Sequence, residues 1–543
     1  MKRTCKYLSF GASAVIVAMM MATTVVERLH GTPVAFQWFY HNPLFIVLWA
    51  VAAIAGLIYL IMAGTPKRVF TMGLHVGLAV ILAGALVTFL FGESGSIHLR
   101  EGESTASYEL DDETPATLPF SIRLEKFAID YYEGTRRPLD YRSDVTFLPE
   151  GEAVRISMNN IAKYRGYRFY QADYDEDGMG SILAVSHDPW GVGITYAGYL
   201  LLLLSMIGFF FEKDTAFRKA LRRVATMTAA VAFFAFAPAV SASAQSAPEG
   251  MGMPRKEAGT PDFMLTSKAK VQANQLYMQI ARPKAQFMLC LTLGIVLFVA
   301  GGVLISRKRK FPDWVLHGSA GIALLMWLYL TLVIGLRWYV SGTGPYVGRY
   351  NVMMLMAWFS TLAILLLYRR FPLVEPLGFL LAGFTMLLAS RENVSPQIMP
   401  LMPVLRSPLL SIHVVSMMMS YTLFGLVAFN GIMGLAVPSR EAKESLRDVS
   451  LVVLYPAVFL LAFGTFLGAV WANISWGSYW AWDPKETWAL VTMLVYAFTL
   501  HGGALKPFRN PNFFHGYTIF AFVCVLVTYF GVNLLLGGMH SYM

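Results

Sequence analysis

Charge is scarce in this sequence. Of 543 residues only 14% are Asp, Glu, Lys or Arg, while 56% are hydrophobic and 14% aromatic. A water-soluble chain carries about 25% charged residues, and the mean hydropathy here is +0.53. A cytosolic enzyme and a disordered chain are both excluded. Cysteine is nearly absent: Cys5, Cys290 and Cys524 each lie inside or beside an apolar run. Without a Cys-x-x-Cys pair the chain is no dithiol oxidoreductase, no disulfide scaffold and no zinc site of ordinary spacing. Packing is the reading for all three. Acidic residues number 33 against 43 Lys and Arg, a net charge of +10. The bases sit in short clusters between apolar runs, which is how membrane proteins encode orientation, so no nucleic-acid partner is expected. What is abundant is hydrocarbon, and the composition is that of a polytopic membrane protein.

About thirteen segments are long and apolar enough to span ~30 Å of hydrocarbon. They run roughly 8–26, 44–63, 70–92, 191–211, 224–240, 286–305, 314–336, 350–368, 372–390, 409–437, 449–470, 487–505 and 514–536. Basic clusters precede the first span (Lys2, Arg3, Lys6) and follow the second (Lys67, Arg68), fourth (Lys213 to Arg223) and sixth (Arg307 to Lys310). Others follow the eighth (Arg369, Arg370), tenth (Arg440, Lys443, Arg447) and twelfth (Lys506, Arg509). All seven fall on the cytoplasmic side if the N-terminus is inside, which leaves the C-terminus outside. Two outer regions are more than loops. Residues 93–190 hold alternating stretches such as Ile122–Leu124–Phe127 and Tyr167–Phe169, punctuated by turns such as Asp177-Gly178, and predict a small β-rich domain. Residues 241–284 begin rich in Ser, Ala, Pro and Gly and read as a linker. The fifth span has two readings: a retained helix, or a secretory signal running from Arg222-Arg223 to a cleavage site at Ala242-Ser243-Ala244. The expected fold class is therefore an all-α polytopic membrane protein, N-in and C-out, with a small β-rich outer domain.

The densest motif lies between the eleventh and twelfth spans. Trp471, Trp476, Trp480, Trp482 and Trp488 crowd into eighteen residues together with Gly477, Tyr479 and Asp483-Pro484-Lys485-Glu486. Part of it has a plain structural account: Asp483 as N-cap, Pro484 at the first helical position and Glu486 at the third, a capping box. Interfacial belts also take tryptophan. Five in so short a stretch exceed a belt, and flat aromatic faces are what a large planar macrocycle stacks on. The histidines add a ligand set. His75 and His501 fall near the inner ends of their spans, while His413 and His540 fall near the outer end and flank the tryptophan loop. Two imidazoles across a cavity are a natural axial pair for haem iron. Depth yields only a shortlist: His317 and His515 remain alternatives inside, and His30 and His41 outside. Singly, each has the plainer reading of a hydrogen-bonded packing residue.

The tryptophan loop resembles the WWD signature of the haem-handling superfamily. Ser411-Ile412-His413-Val414, Leu500-His501, Gly531-Val532-Asn533 and Gly537 through Tyr542 resemble the CcsA (ResC) half of System II cytochrome c synthases. Leu74-His75-Val76-Gly77, Leu118-Pro119-Phe120, Tyr167 to Gln171 and Asp188-Pro189-Trp190-Gly191 resemble the CcsB (ResB) partner. The chain is thus similar to a fused CcsBA: residues 1–215 as the CcsB-like domain, 216–285 as a signal-like segment and linker, and 286–543 as the CcsA-like domain with its loop at 471–488.

The resemblance implies a job. Haem b is taken up at the inner side of a bacterial cytoplasmic membrane, moved across, and attached on the periplasmic side to the Cys-x-x-Cys-His motif of apocytochrome c. It implies His75 and His501 as inner iron ligands and His413 and His540 as outer ones. Trp471, Trp476, Trp480, Trp482 and Trp488 would hold the porphyrin. In this reading His413, His540, Trp476, Trp480, Trp482 and Asp483 form the catalytic surface, and catalysis is mostly proximity. The implied partners are apocytochrome c, a separate protein that keeps its thiols reduced, and membrane lipid. Lys485 and Arg337 have two readings, pairing with the haem propionates or anchoring at the membrane interface. The sequence departs from the family at Thr343, where a histidine is common, and at Gly348, where asparagine is usual. A haem exporter or chaperone without ligation chemistry is the rival reading.

Overall fold

The computed structural model describes residues 1–133, 135–225, 261, 264–369 and 371–536. The fifth expected span beyond Ala225, its cleavage motif and His540 lie outside them. The first half begins with α1 (Lys2–His30), the short α2 (Thr32–Ala35), α3 (Pro43–Met62) and α4 (Val69–Phe91). Eight strands follow, β1 (Glu93–Arg100), β2 (Ser104–Leu110), β3 (Pro115–Tyr131), β4 (Pro138–Leu148), β5 (Glu152–Ser157), β6 (Ala162–Tyr164), β7 (Tyr167–Tyr174) and β8 (Gly180–His187). Then come α5 (Gly191–Phe209), α6 (Ala216–Ala225) and α7 (Lys268–Ile280). The second half is helical: α8 (Lys284–Ser306), α9 (Asp313–Ser341), α10 (Arg349–Leu367), α11 (Val374–Ala389), α12 (Pro408–Ala436), α13 (Arg440–Trp476), α14 (Pro484–Leu500) and α15 (Pro511–Leu526).

Among the described residues ten helices are long and apolar enough to cross a membrane. The expected ninth and twelfth spans are present as the shorter α11 and α14, of 16 and 17 residues. The molecule is a polytopic membrane protein with a β domain. Helix α13 begins at Arg440 and not near 449, because the basic cluster Arg440–Arg447 forms its first turns behind the N-cap Ser439. Its 37 residues reach roughly 55 Å at 1.5 Å per residue, well beyond the thickness of the hydrocarbon.

The β domain is a single antiparallel sheet in the order β5-β4-β3-β2-β1-β8-β7-β6. Ile122, Leu124 and Phe127 all point inward, although a period of two would select residue 126. A bulge between Leu124 and Lys126 shifts the register by one and accounts for the odd spacing. Phe147 on β4 stacks on Tyr164 of β6 at 4.4 Å, so the sheet curls until strands far apart in the order share one core.

One reading of the sequence changes. Within the stretch taken for a linker, Lys268–Ile280 is helical, capped by Ser267 accepting from the Lys270 amide at 3.2 Å. Tyr277 anchors it: the ring is fully buried and its hydroxyl donates to the Pro396 carbonyl at 2.5 Å. The low-complexity residues before it disguised an ordinary capped helix. The three cysteines are buried free thiols.

Candidate functional site

Helix α4 is pressed onto α5 by small residues. A Cβ at Gly84 would lie 2.8 Å from the Thr195 amide nitrogen, and one at Gly77 3.1 Å from that of Leu202. Such close backbone approach is how helices associate where lipid removes the hydrophobic drive. It fixes the face of α4 that carries His75. The opposing residue, His501, closes the C-terminus of α14. The two imidazole centroids are 6.0 Å apart with planes at 81°. His75 Nδ1 bonds the Thr71 carbonyl at 2.8 Å, and His501 Nδ1 bonds the Ala497 carbonyl at 2.7 Å. A carbonyl only accepts, so each Nδ1 carries the proton and each Nε2 keeps its lone pair. Two metal–nitrogen bonds of about 2 Å each, plus the ring radii, place the centroids of an axial pair roughly 6 Å apart. The centroid spacing of His75 and His501 is that of such a pair. The Phe10 ring meets His501 edge-on at 5.4 Å.

The inner alternatives lie elsewhere. His515 is fully buried, its Nε2 2.9 Å from the Lys443 carbonyl and its ring against Gly434. His317 bonds the Asp313 carbonyl and meets Tyr368. On the outer side His30 meets Trp38, and His41 meets Phe36 and Phe89.

His413 stands in the second turn of α12 and lies against α13. Its Nδ1 is 2.6 Å from the Gly464 carbonyl, and a Cβ at Gly468 would sit 2.6 Å from the same nitrogen. Only glycine leaves room for the ring there. Helix α13 then ends at Gly477, in the left-handed region at φ 86°, and the chain turns into the tryptophan loop. Trp471 and Trp488 are interior, 2% and 7% exposed. Trp488 Nε1 donates to Thr24 Oγ1 of α1 at 3.1 Å, and Trp471 meets Trp476 edge-on at 4.9 Å. Trp476, Trp480 and Trp482 are half-buried. Trp482 takes φ +54°, a strained backbone for a bulky residue. Its surroundings hold it there: the indole stacks on Tyr40 at 4.5 Å and its carbonyl accepts from Thr487 Oγ1 at 3.3 Å.

Asp483 caps α14, accepting from the Lys485 amide at 2.9 Å. Glu486 differs from the expected capping box: its Oε2 accepts from the Ala481 amide at 2.9 Å, two residues before the cap, so it closes the loop. Lys485 Nζ reaches Asn533 Oδ1 at 3.1 Å. The Arg337 guanidinium donates to the Tyr277 hydroxyl and to the carbonyls of Pro396 and Gln397. The segment containing Thr343 and Gly348 lines a cavity of about 440 Å³ together with Arg337, Arg349 and Asn351. That cavity shares Val347, Leu401 and Leu405 with the apolar cluster around Trp471 and Trp476.

Sequence reasoning missed the supports. Tyr40 is one: its hydroxyl lies 3.1 Å from Thr487 Oγ1 while its ring carries Trp482. The β domain is another. Its Tyr170 ring lies against Gly477, where a Cβ would come within 2.9 Å. These contacts join residues hundreds of positions apart, which no local pattern signals.

Comparison with known proteins assigns the two halves. The family described as Cytochrome C assembly protein matches residues 346–540, which hold His413, His501 and the whole tryptophan loop. The ResB-like family matches residues 61–288, which hold His75 and the β domain. The chain is similar to Protein NrfI of Wolinella succinogenes, 36% identical over 293 residues, 51% of this chain and 32% of NrfI. It therefore spans about a third of the length of that relative. It is similar to cytochrome c biogenesis protein CcsA of Guillardia theta, 32% identical over 275 residues, 44% of this chain and 89% of that protein. CcsA of Synechococcus sp. (strain CC9902) is 31% identical over 304 residues, 48% of this chain and 98% of that protein. Covering such relatives almost end to end, and joining to them a ResB-like domain on one polypeptide, the chain belongs to the CcsA family of cytochrome c biogenesis proteins in the fused CcsBA arrangement.

Proposed function

We propose that the chain is a cytochrome c synthase. It passes haem b from an inner site on His75 and His501 to an outer site on His413, His540 and the tryptophan loop, and there joins it to apocytochrome c. The observation that carries this reading is the imidazole pair 6.0 Å apart, with one member from each half and both Nδ1 atoms bonded to backbone carbonyls. Imidazoles with both Nε2 lone pairs reserved are preset to bind iron and cost little to reorganise. The proposed orientation puts the N-terminus in the cytoplasm of a bacterium, thirteen spans in the cytoplasmic membrane, and the β domain and tryptophan loop on the periplasmic side.

Haem is the substrate, and its two vinyl groups are the reacting carbons. Each apocytochrome thiol adds across a vinyl double bond: sulfur bonds the ring-side carbon, the proton goes to the terminal carbon, and nothing leaves. The addition needs reduced thiols but consumes no oxidant or reductant, so the thiol-reducing partner acts before this step. The chain's share is placement. His413 and His540 hold the iron, the half-buried Trp476, Trp480 and Trp482 cover one porphyrin face, and Trp471, Trp488 and Asp483 keep that loop in shape. The histidine of the Cys-x-x-Cys-His segment then replaces an outer ligand and frees the product.

The test is co-expression with an apocytochrome c and assay of covalent haem on it. The synthase reading expects holocytochrome with the intact chain and none with a double alanine substitution at His413 and His540. A haem-loaded chain that never yields holocytochrome would make it an exporter or chaperone.

A further inference from the structure

Met158, Asn159 and Asn160 form the turn that leads from β5 to β6. Asn159 takes φ +63°, a left-handed backbone that asparagine tolerates better than most residues with a side chain. Turn asparagines commonly bond their own backbone. This one bonds the other half of the molecule. Its Nδ2 donates to the carbonyls of Pro403 and Val404 at 3.3 and 3.2 Å, and its Oδ1 accepts from Ser475 Oγ at 2.8 Å.

The two segments it joins are those that frame the outer site. Pro403–Leu405 is a single helical turn that leads through Ser407 into α12, whose sixth residue is His413. Ser475, 4% exposed, is the penultimate residue of α13 and immediately precedes Trp476. One amide therefore ties the entry of the histidine helix to the root of the tryptophan loop. Two further contacts grip the same segments from the same domain: the Tyr132 hydroxyl donates to the Leu401 carbonyl at 2.9 Å, and the Tyr170 ring lies against Gly477.

We propose that Asn159 is a positioning residue for the outer haem site: through its amide the ResB-like half sets the spacing between His413 and the tryptophan loop. The inference rests on the reading of those residues as the outer haem site. The position needs a group that donates and accepts at once, on a backbone in the left-handed region. Aspartate keeps the acceptor but turns a negative oxygen toward two carbonyls. Glycine keeps the backbone and removes the clamp, so Asn159→Gly isolates the side chain from the turn.

The experiment uses full-length protein purified in detergent from haem-replete cells, as wild type, Asn159→Gly, Asn159→Asp and Ser475→Ala. Low-temperature EPR and a redox titration resolve the two ferric haems, and His413→Ala identifies the outer one. The expected result is retention of both haems with a shifted EPR signature and midpoint potential for the outer haem alone. Holocytochrome yield should fall roughly three- to tenfold, as the loss of about one hydrogen bond in positioning implies, and least in Ser475→Ala. In haem-free protein, amide exchange should quicken at 403–407 and 476–482 and stay unchanged in α4 and α5. An outer haem with wild-type signature and yield in all three variants would overturn the proposal. Equal perturbation of both haems would also overturn it, leaving Asn159 a scaffold residue. A wild-type protein in which no haem responds to His413→Ala would instead overturn the outer-site reading, and this inference with it.

Discussion

In α3 and α4 only 11% of the apolar window is buried within the protein, whereas in α10, α12 and α13 the share is 67%. Helices α3 and α4 are thus mostly exposed, while α10, α12 and α13 build a core of their own; the division does not follow the halves strictly, since α5 is 44% buried and α8 and α9 are 22% and 28% buried. The two histidine sites fall on opposite sides of this divide. His75 stands on a helix held on one face by α5, and meets a partner at the very end of α14 across the seam between the halves. His413 is wedged between two helices of the packed half, and the loop beside it is braced by Tyr40, Tyr170 and Asn159. A seam parts without unfolding either wall, whereas a packed wedge does not. On the proposed reading, the inner pair would be the place to load and release haem, and the outer site the place to hold it.

The sharpest way to break this comparison is to remove half of the inner pair. Because the site consists of one ligand from each half and feeds the outer one on the proposed route, His75→Ala or His501→Ala alone should lower the pyridine-extracted haem by at least half, and the double variant should lose no more. Stepwise loss, a little for each, would mean that the two rings serve different sites. The second test bears on the wedge. In Gly468→Ala the new methyl would lie 2.6 Å from His413 Nδ1, so the imidazole must move or the helices part. Overpacking of this kind costs about 1–3 kcal/mol, and holocytochrome yield should drop about tenfold with the inner haem untouched. An unchanged yield would show that His413 has slack, and the contrast between the sites would fail.

Much of this was legible in the sequence, and the limits have physical causes. Hydropathy located the spans because twenty apolar residues in a row have few other uses. Alternation located the β domain, and even the irregular Ile122–Leu124–Phe127 was a sign of the bulge that the sheet contains. The family resemblance paired His75 with His501. Depth sorting alone put them at one level, on a shortlist with His317 and His515, because a residue's height in a membrane follows from counting along its helix. Lateral placement does not. Nothing local separates His501 from His515, yet one faces the seam and the other is bonded to the Lys443 carbonyl inside the packed half. The capped helix Lys268–Ile280 was hidden by the low-complexity run before it. The supports of the tryptophan loop come from α1, the turn around Tyr40 and the β domain, and such encounters are decided by tertiary packing alone.

The smallest effects sharpen the comparison from inside the tryptophan loop, where one hydrogen bond crosses between the halves and another stays within one. Trp488 Nε1 donates across the seam to Thr24 Oγ1, and both residues are buried. Thr24→Val keeps the shape but strands a buried N–H, at a cost of about 1–3 kcal/mol. Asp483→Ala removes an N-cap within the packed half and costs about 1 kcal/mol, while Glu486 still holds the Ala481 amide and keeps the loop closed. Heat denaturation in detergent, followed by tryptophan fluorescence, should therefore find Thr24→Val the less stable of the two. If the halves are joined as loosely as their burial implies, the Thr24 change should also weaken the inner haem, because α1 contributes Phe10 beside His501. Asp483→Ala should leave that haem alone. The reverse order would mean that the seam is tight and that the contrast in burial reflects lipid contact without conferring mobility.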